Sequence, residues 1–244
     1  MNLTKINIRE KEFHNKLHTS GNPRPENKYY KALNNLYEDF LILLKYKTIN
    51  KYVLDYGCGN GVYSEQVVNF NPEKITAIDI SEEAIEIGKS KNNKNIDYRV
   101  ENCESTKLNS NSFDLIYGVG ILHHLNLNKS MKEIERLLKK EGNIIFIEPL
   151  GTNPLINIYR KFTPNSRSSD EHPLTFKDLK YLRNLFNNVR ITYYGFFTLV
   201  FMPFYKSPKN SKLFTFLIKI DKILFKIPIF KFLAWSILIE AQKN

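Results

Sequence analysis

The sequence predicts an α/β fold in which helices cover both faces of a doubly wound, mostly parallel sheet. The first observation is an apolar run, Tyr52–Tyr56, that leads through Gly57, Gly59 and Gly61 into residues with helical spacing. The second is another apolar run, 75–80, in which Asp79 follows Gly61 by 18 residues. A strand, a glycine turn, a helix and an acid at about this distance are typical of open sheets that bind ligands at their strand ends.

Composition indicates one globular domain, residues 1–244, because 42% of the residues are hydrophobic and 25% are charged. The excess of 36 Lys and Arg over 25 Asp and Glu gives a net charge of +11. Such a balance indicates anionic partners, namely nucleic acid, phospholipid headgroups or phosphorylated substrates. A lysine-rich composition without functional meaning explains the charge equally well.

The chain shows no apolar signal core after Met1 and no run of 18 apolar residues. We therefore expect a cytoplasmic protein without a transmembrane helix. The two cysteines, Cys58 and Cys103, form neither a disulfide framework nor a metal-type cluster. The sequence thus predicts no metal site.

The glycine motif carries a resemblance to a known family. It reads Gly-x-Gly-x-Gly with Asp55 two places before the first glycine. This resembles motif I of the class I S-adenosylmethionine (SAM)-dependent methyltransferases, which are Rossmann-like. The resemblance implies a seven-stranded sheet whose last strand is antiparallel and lies between strands five and six. It also implies SAM as cofactor and S-adenosylhomocysteine as product.

The resemblance also implies which residues bind the cofactor. The glycine turn and Asp55 would serve the amino-acid end, and Asp79 the ribose hydroxyls. Asn102 follows the third strand, 96–100, where the family commonly has Asp and binds the adenine amino group. The predicted cofactor set is Asp55, Gly57, Cys58, Gly59, Gly61, Asp79, Ile80, Asn102, Cys103, Gly118 and Tyr30.

Tyr30 belongs to the segment before the first strand. Residues 1–25 are polar, and Asn27–Lys45 has helical spacing with one apolar face. In the resembling family a helix here folds over the cofactor, so residues 1–46 are predicted to form a helical N-terminal lid. An ordinary core or rim role for its tyrosines remains open.

Further along, Ser81 is a plausible N-cap for a helix that runs to about Lys91. The fourth strand, 112–117, leads into Gly118 and the pair His123 and His124. This exit resembles the family's leucine-histidine-histidine stretch between cofactor and acceptor. A helix over 129–140 and a fifth strand, 144–148, follow.

A hydroxyl acceptor needs a base close to its proton, and histidine suits neutral pH. The candidates are His124, His123, His172 and Glu148. An amine or carbon acceptor needs no such base. A structural role for the histidine pair also remains open.

The last third departs from the generic core. Residues 149–175 are predicted to form an acceptor-site insertion, because a long polar loop there carries charged residues and His172. A helix over 175–186, a sixth strand within 189–200 and a last strand at 233–240 complete the sheet.

Residues 203–231 are predicted to form a helical insertion before the last strand. Its segment 206–231 alternates lysines with apolar residues, which is typical of a basic amphipathic helix at a membrane surface. Packing against the domain explains the same pattern. Exposure of the face that carries Phe214, Leu217 and Leu224 would favour the membrane, and its burial would favour packing.

Three functions remain in view. The first, which we favour, is a methyltransferase acting on a small molecule, with the hydroxyl of a hydrophobic, glycan or lipid-linked metabolite as acceptor. The second is an RNA or other nucleic-acid methyltransferase, and this partner is disfavoured because Gly118-Val119-Gly120-Ile121 replaces the signature of base-methylating enzymes. The third is a non-catalytic SAM-binding protein. The oligomeric state is open.

Overall fold

A computed structural model describes residues 3–19, 31–162, 168, 170–205, 208 and 211–244. The strands are β1 (Tyr52–Tyr56), β2 (Lys74–Asp79), β3 (Ile96–Val100), β4 (Phe113–Val119), β5 (Leu138–Pro149), β6 (Asn187–Tyr194) and β7 (Ser236–Gln242). The α-helices of the described part are α1 (Lys5–Thr19), α2 (Asn34–Lys47), α3 (Ser64–Val67), α4 (Glu82–Ser90), α5 (Leu127–Leu137), α6 (Pro154–Phe162), α7 (Phe176–Leu185), α8 (Phe197–Val200) and α9 (Lys212–Leu224).

The seven strands form one sheet in the order β3-β2-β1-β4-β5-β7-β6. Neighbouring strands from β3 to β5 are parallel, whereas β7 is antiparallel to both β5 and β6. The predicted mixed sheet is confirmed, including the insertion of the last strand between strands five and six. Such a sheet brings the carboxyl ends of its parallel strands to a single edge, where ligands bind.

Each face of the sheet has its own core, because side chains alternate along a strand. Tyr56 and Phe146 pack together on one face, and Phe40 contacts Tyr117 on the other. Helix α2 buries its apolar stripe, which includes Phe40, against this second face. The predicted helix over 27–45 corresponds to α2, which begins at Asn34 and ends at Lys47. Its apolar face is part of the core.

Helix α1 lies within residues 1–25, a segment that the sequence analysis describes as polar. Its only described residues that are fully enclosed are the polar Asn7 and Glu10, so it lacks the buried apolar stripe that periodicity detects. Tyr30 and the rest of 20–30 lie outside the described residues. The prediction for Tyr30 is therefore not addressed.

The helix predicted at 129–140 is found as α5 at Leu127–Leu137, and β5 begins directly after it. Gly142 lies inside β5 rather than beyond a helix end. At this point Glu141 takes a positive φ of 60°, and the pairing of β4 with β5 shifts between Phe113 and Leu115. The chain therefore turns within β5, which is irregular at this point.

Helix α9 occupies the predicted basic insertion, of which residues 206, 207, 209 and 210 lie outside the described part. Ser211 caps it by accepting the Phe214 N–H at 3.1 Å. Phe214 and Leu217 are buried and Leu224 is half-buried, so this face packs against the domain. Within the described ranges, no helix is both long and apolar enough to cross a bilayer.

Asp221 anchors α9 to α8. It is buried, and its carboxylate accepts the N–H groups of Phe197 at 2.7 Å and of Phe196 and Thr198 at 3.2 Å. Burial raises the pKa of Asp221, against the lowering effect of these hydrogen bonds. Asp221 is the only acidic residue in the sequence from 206 to 231. Its carboxylate therefore caps the N-terminus of α8.

Candidate active site

A cavity of about 460 Å³ opens at the carboxyl edge of the parallel strands. Helix α1 covers it on one side and contributes Asn7, Glu10 and His14. Residues that follow β1, β2, β3 and β4 line the opposite side. Its volume lies within the range of about 300–1,000 Å³ that is usual for small-molecule sites.

The glycine turn after β1 is shaped by its backbone. Gly57 has a φ of +75° and donates its N–H to the Ile78 carbonyl at 2.9 Å. A Cβ on Gly57 would lie 2.4 Å from Ile121, so a larger residue does not fit. Gly59, at a φ of +52°, lines the cavity.

Gly61 does not line the cavity. A Cβ there would lie 2.1 Å from the Tyr98 hydroxyl, so this glycine is required by packing. Gly118 is also absent from the cavity wall, and a Cβ on it would lie 2.7 Å from the Tyr56 carbonyl. Gly120, with a φ of +65°, takes the place at the cavity that was predicted for Gly118.

Asp55 lies at the base of the cavity with its side chain buried. Its carboxylate accepts the Ser64 hydroxyl at 2.6 Å and the Tyr117 hydroxyl at 3.0 Å. Burial raises the pKa of Asp55 to about 7, although both hydrogen bonds act in the opposite direction. A cationic ligand group beside it would stabilise the ionised form.

Asp79 and Asn102 both line the cavity and are both bonded to backbone. Asp79 accepts the N–H of Gly59 at 2.8 Å and of Ser81 at 2.9 Å, one on each oxygen. Asn102 accepts the Glu104 N–H at 2.9 Å, and its amide faces Asn7 at 3.4 Å. Ile80, Cys58 and Cys103 line the same wall.

His123 is buried at the cavity, with Nδ1 2.8 Å from Glu148 Oε2. Burial lowers the pKa of His123 to about 3, and the charge of Arg160 lowers it further. The ring is therefore neutral at neutral pH. A neutral ring that donates from Nδ1 to Glu148 leaves Nε2 as a hydrogen-bond acceptor.

Glu148 lies behind this histidine and does not line the cavity. It is fully buried and accepts the N–H groups of Ile121 at 2.9 Å and Leu122 at 2.7 Å. Burial raises its pKa to about 7, against the effect of these amides. Glu148 thus orients the turn and the His123 ring, and is not placed to contact an acceptor as the sequence analysis expects.

His124 lies at the cavity next to helix α1. Its Nδ1 is 3.0 Å from Glu10 Oε2, and its ring contacts that of His14 edge to face. Burial and the neighbouring His123 lower the pKa of His124, against the effect of Glu10. Burial raises the pKa of Glu10, but the neighbouring His124 and Ser168 side chains outweigh this effect, so that the pKa of Glu10 is lowered.

His172 has an exposed side chain outside this cavity, in a separate depression. Its backbone N–H donates to the His123 carbonyl at 2.8 Å. The contribution of the 168–172 segment to the cavity is instead Glu171. Of the four predicted catalytic side chains, only His123 and His124 therefore reach the cavity.

The sequence analysis misses several side chains of the cavity. They are Asn7, Glu10 and His14 of α1, Arg160 of α6, the parallel rings of Tyr37 and Tyr63, and Trp235 before β7. Arg160 and Trp235 come from segments without a recognisable motif. The spacing of Glu10 and His14, four residues apart on a helix, is the one signal that indicates a shared face.

Comparison with known proteins agrees with this geometry. Residues 54–146 match the family profile described as a methyltransferase domain, and they include the glycine turn, Asp79 and both buried histidines. Residues 54–146 of the chain are therefore a methyltransferase domain. The matched part of the chain begins in β1 and ends in β5, so it covers the strands that form the cavity edge.

Two relatives are about one-third identical to the chain over the aligned regions. An uncharacterized protein of Methanocaldococcus jannaschii is 35% identical over 56% of this chain and 50% of its own length. The ubiquinone biosynthesis O-methyltransferase of Pelagibacter ubique is 37% identical over 48% of this chain and 49% of its own. The chain thus spans about half the length of these curated relatives.

Among solved structures, the geranyl diphosphate C-methyltransferase of Streptomyces coelicolor has a TM-score of 0.60. It was crystallised with Mg²⁺, geranyl diphosphate and S-adenosylhomocysteine. The superposition covers 87% of this chain and 81% of that chain at 14% identity. At this identity the likeness shows the fold alone.

Proposed function

We propose that the protein transfers the methyl group of SAM to a hydroxyl of a hydrophobic, glycan or lipid-linked small molecule. S-adenosylhomocysteine is the co-product. The observation that carries this proposal is a single cavity that joins the glycine turn and Asp79 to the His123–Glu148 pair. A hydroxyl acceptor needs both a methyl donor and a base within one enclosed space.

The residues present fit the cofactor. SAM carries an amino group, a ribose diol and an adenine amine, and when bound it supplies an electrophilic methyl group on sulfur. Asp55 offers a buried carboxylate to the amino group, and Asp79 offers acceptors to the diol. Asn102 is the acceptor that we assign to adenine. Each pairing matches a donor of the cofactor with an acceptor of the protein.

The base that we assign is His123 acting with Glu148, whose carboxylate offsets the low proton affinity that burial gives the ring. In the transfer the carbon–sulfur bond breaks as a bond forms between the methyl carbon and the acceptor oxygen. The proton of the hydroxyl moves to His123 Nε2, because Nδ1 is held by Glu148 at 2.8 Å. Glu148 then stabilises the imidazolium. His124 is the second candidate, since it lines the same cavity.

A hydrophobic acceptor is favoured by the cavity wall. Between the histidines and α2 the wall is formed by Leu33, Ile121, Leu125, Ile147, Ile156 and Trp235. Apolar walls with a few polar groups favour ligands with an apolar body and one oriented functional group. A relative named for ubiquinone biosynthesis and a neighbour with bound geranyl diphosphate agree with this acceptor class.

We also propose that the described part of the basic segment, residues 211–231, contacts an anionic membrane surface. Phe214 and Leu217 pack inward, but a second set of apolar side chains points to solvent. Phe216, Ile223 and Ile229 are 59%, 64% and 71% exposed. Exposed lysines surround them at 212, 219, 222 and 226. Exposed apolar residues among lysines support binding to a lipid interface, where a hydrophobic acceptor would be found.

The decisive experiment measures cofactor binding and turnover separately. Calorimetry should show one equivalent of S-adenosylhomocysteine bound. Methyl-labelled SAM, offered with phenolic and prenylated hydroxyl acceptors and with lipid extracts, should then label a small molecule. In His123→Ala, turnover should fall by about 10²–10⁴-fold with cofactor affinity retained.

A matched control is His172→Ala, which changes an exposed histidine outside the cavity. This variant should retain both cofactor affinity and turnover. The proposal fails if the folded protein does not bind S-adenosylhomocysteine. The assignment of His123 fails if its variant turns over as fast as the wild type.

A further inference from the structure

Three side chains beside the cavity place their donor atoms around a common point. Glu10 and His14 come from α1, and His124 comes from the turn after β4. Glu10 Oε2 lies 3.0 Å from His124 Nδ1 and 3.7 Å from His14 Nε2. All three donor atoms lie within 4.8 Å of one another.

Glu10 also has an unsatisfied atom. The residue is 5% exposed, and its Oε2 is buried without a hydrogen bond. Its other oxygen, Oε1, accepts the Ser168 hydroxyl. The groups near Oε2 are two imidazole nitrogens, His124 Nδ1 at 3.0 Å and His14 Nε2 at 3.7 Å. A buried carboxylate oxygen without a donor is costly, and this indicates a cation that is not part of the chain.

We infer that Glu10, His14 and His124 bind a divalent transition-metal ion. Ligand atoms that share a tetrahedral ion at about 2.0–2.1 Å are roughly 3.3 Å apart, close to the two measured separations. Two imidazoles and one carboxylate suit zinc, iron, cobalt or manganese. Magnesium and calcium prefer sites made of oxygen ligands.

The sequence builds this site from two distant segments. Glu10 and His14 are four residues apart, so they share one face of α1. His124 is brought close to them only by the fold. For this reason the sequence analysis, which considered the two cysteines, predicts no metal site. A second grouping, of His123, His124 and Glu171, is also found among the described residues. We favour the first because His123 Nδ1 is already bound to Glu148.

The site lies in the wall of the same cavity. A metal with three protein ligands keeps an open coordination position. This part of the inference rests on the proposed function: the open position would take an oxygen atom of the acceptor. The methyl acceptor would then carry a second oxygen close to the methylated one.

The test uses tag-free protein stripped with a chelator. Zn²⁺ binding is measured by calorimetry, and Co²⁺ binding by its visible absorption, without SAM or acceptor. One equivalent should bind. Glu10→Gln and His14→Ala should each weaken binding at least about 10-fold. Glu12→Gln, an exposed glutamate on the same helix, should bind as the wild type does.

The absence of stoichiometric Zn²⁺ or Co²⁺ binding would overturn the inference. Binding that is equal in Glu10→Gln, Glu12→Gln and wild-type protein would also overturn it. S-adenosylhomocysteine affinity is measured on the same samples. Wild-type protein that binds S-adenosylhomocysteine but no metal refutes the metal site alone, whereas wild-type protein that binds metal but no S-adenosylhomocysteine refutes the proposed function alone. Circular dichroism confirms that each variant is folded.

Discussion

At the scale of single residues, Asp79 shows how one carboxylate holds a loop and faces a ligand at once. Its two oxygens accept the N–H groups of Gly59 and Ser81, and each retains a further lone pair toward the cavity. The glycine turn and the predicted ribose site are thus fixed by the same side chain.

We expect Asp79→Ala to weaken S-adenosylhomocysteine binding by about 1–3 kcal/mol, the scale for a lost hydrogen bond to a charged group. Calorimetry measures the affinity. Glu86→Ala, at an exposed position of α4, serves as the control and should change nothing. An unaltered affinity in the Asp79 variant would remove this residue from the binding site.

The raised pKa of Asp55 makes stability depend on pH. Its folded pKa is about 7, whereas an unfolded Asp titrates near 3.9. Between these values the folded state holds a proton that the unfolded state has released. The contribution of Asp55 to the free energy of unfolding therefore falls as pH rises from about 4 to 7, by at most about 1.4 kcal/mol per pH unit.

Asp55→Asn removes this titration while keeping the side chain's shape. Urea unfolding between about pH 4 and 7 should show the wild type losing stability relative to the variant as pH rises. Glu148 titrates in both proteins and cancels in the difference. Parallel pH profiles for the two proteins would contradict the raised pKa.

Residue identity could be predicted where the signal is local. The glycine turn and Asp79 lie within 25 residues, and their spacing alone places them at one strand edge. Glu148 and His172 do not line the cavity as the sequence analysis expects, because the placement of a side chain depends on its tertiary neighbours. Glu10 was missed since the polar sequence of α1 shows no buried apolar stripe.

At the scale of elements, α1 is held over the cavity by polar contacts. Arg9 donates two hydrogen bonds of 2.7 Å to Asp170, and Lys11 pairs with Glu82 of α4. A helix attached in this way opens more readily than one with a buried apolar face. We therefore expect α1 to act as the lid that the sequence analysis places in residues 1–46.

Arg9→Ala should increase amide hydrogen exchange in α1 while the exchange of β1 and β4 stays the same. The reason is that the substitution loosens the lid and leaves the core of the sheet intact. Lys16→Ala, an exposed lysine of α1, is the control and should not change the exchange. Equal protection of α1 in both variants would show that the pair with Asp170 does not hold the lid.

At the scale of the whole molecule, part of the net charge of +11 lies on and after α9. There Lys212, Lys219, Lys222 and Lys226 are exposed beside Phe216 and Ile223. Each lysine near an anionic surface contributes about 1 kcal/mol, and this attraction weakens with salt.

We expect the protein to cosediment with anionic liposomes at low salt. Changing these four lysines to Gln should reduce the bound fraction strongly. Changing Lys16, Lys94, Lys107 and Lys132 to Gln alters the net charge equally at other exposed positions and should have a smaller effect. Equal losses in the two variants would indicate general charge attraction, and no binding by the wild type would leave α9 as a packing element.

The order of the sheet has a consequence for how the molecule assembles. Strand β6 contacts the rest of the sheet through β7, which begins more than 40 residues later in the sequence. Until β7 inserts beside β5, β6 has no partner, and a long intervening loop must close first. The half of the sheet that carries the glycine turn and the histidine pair can therefore form early. The half formed by β6 and β7, with the basic insertion between them, forms later. Until it forms, the edges of these strands can pair with other chains.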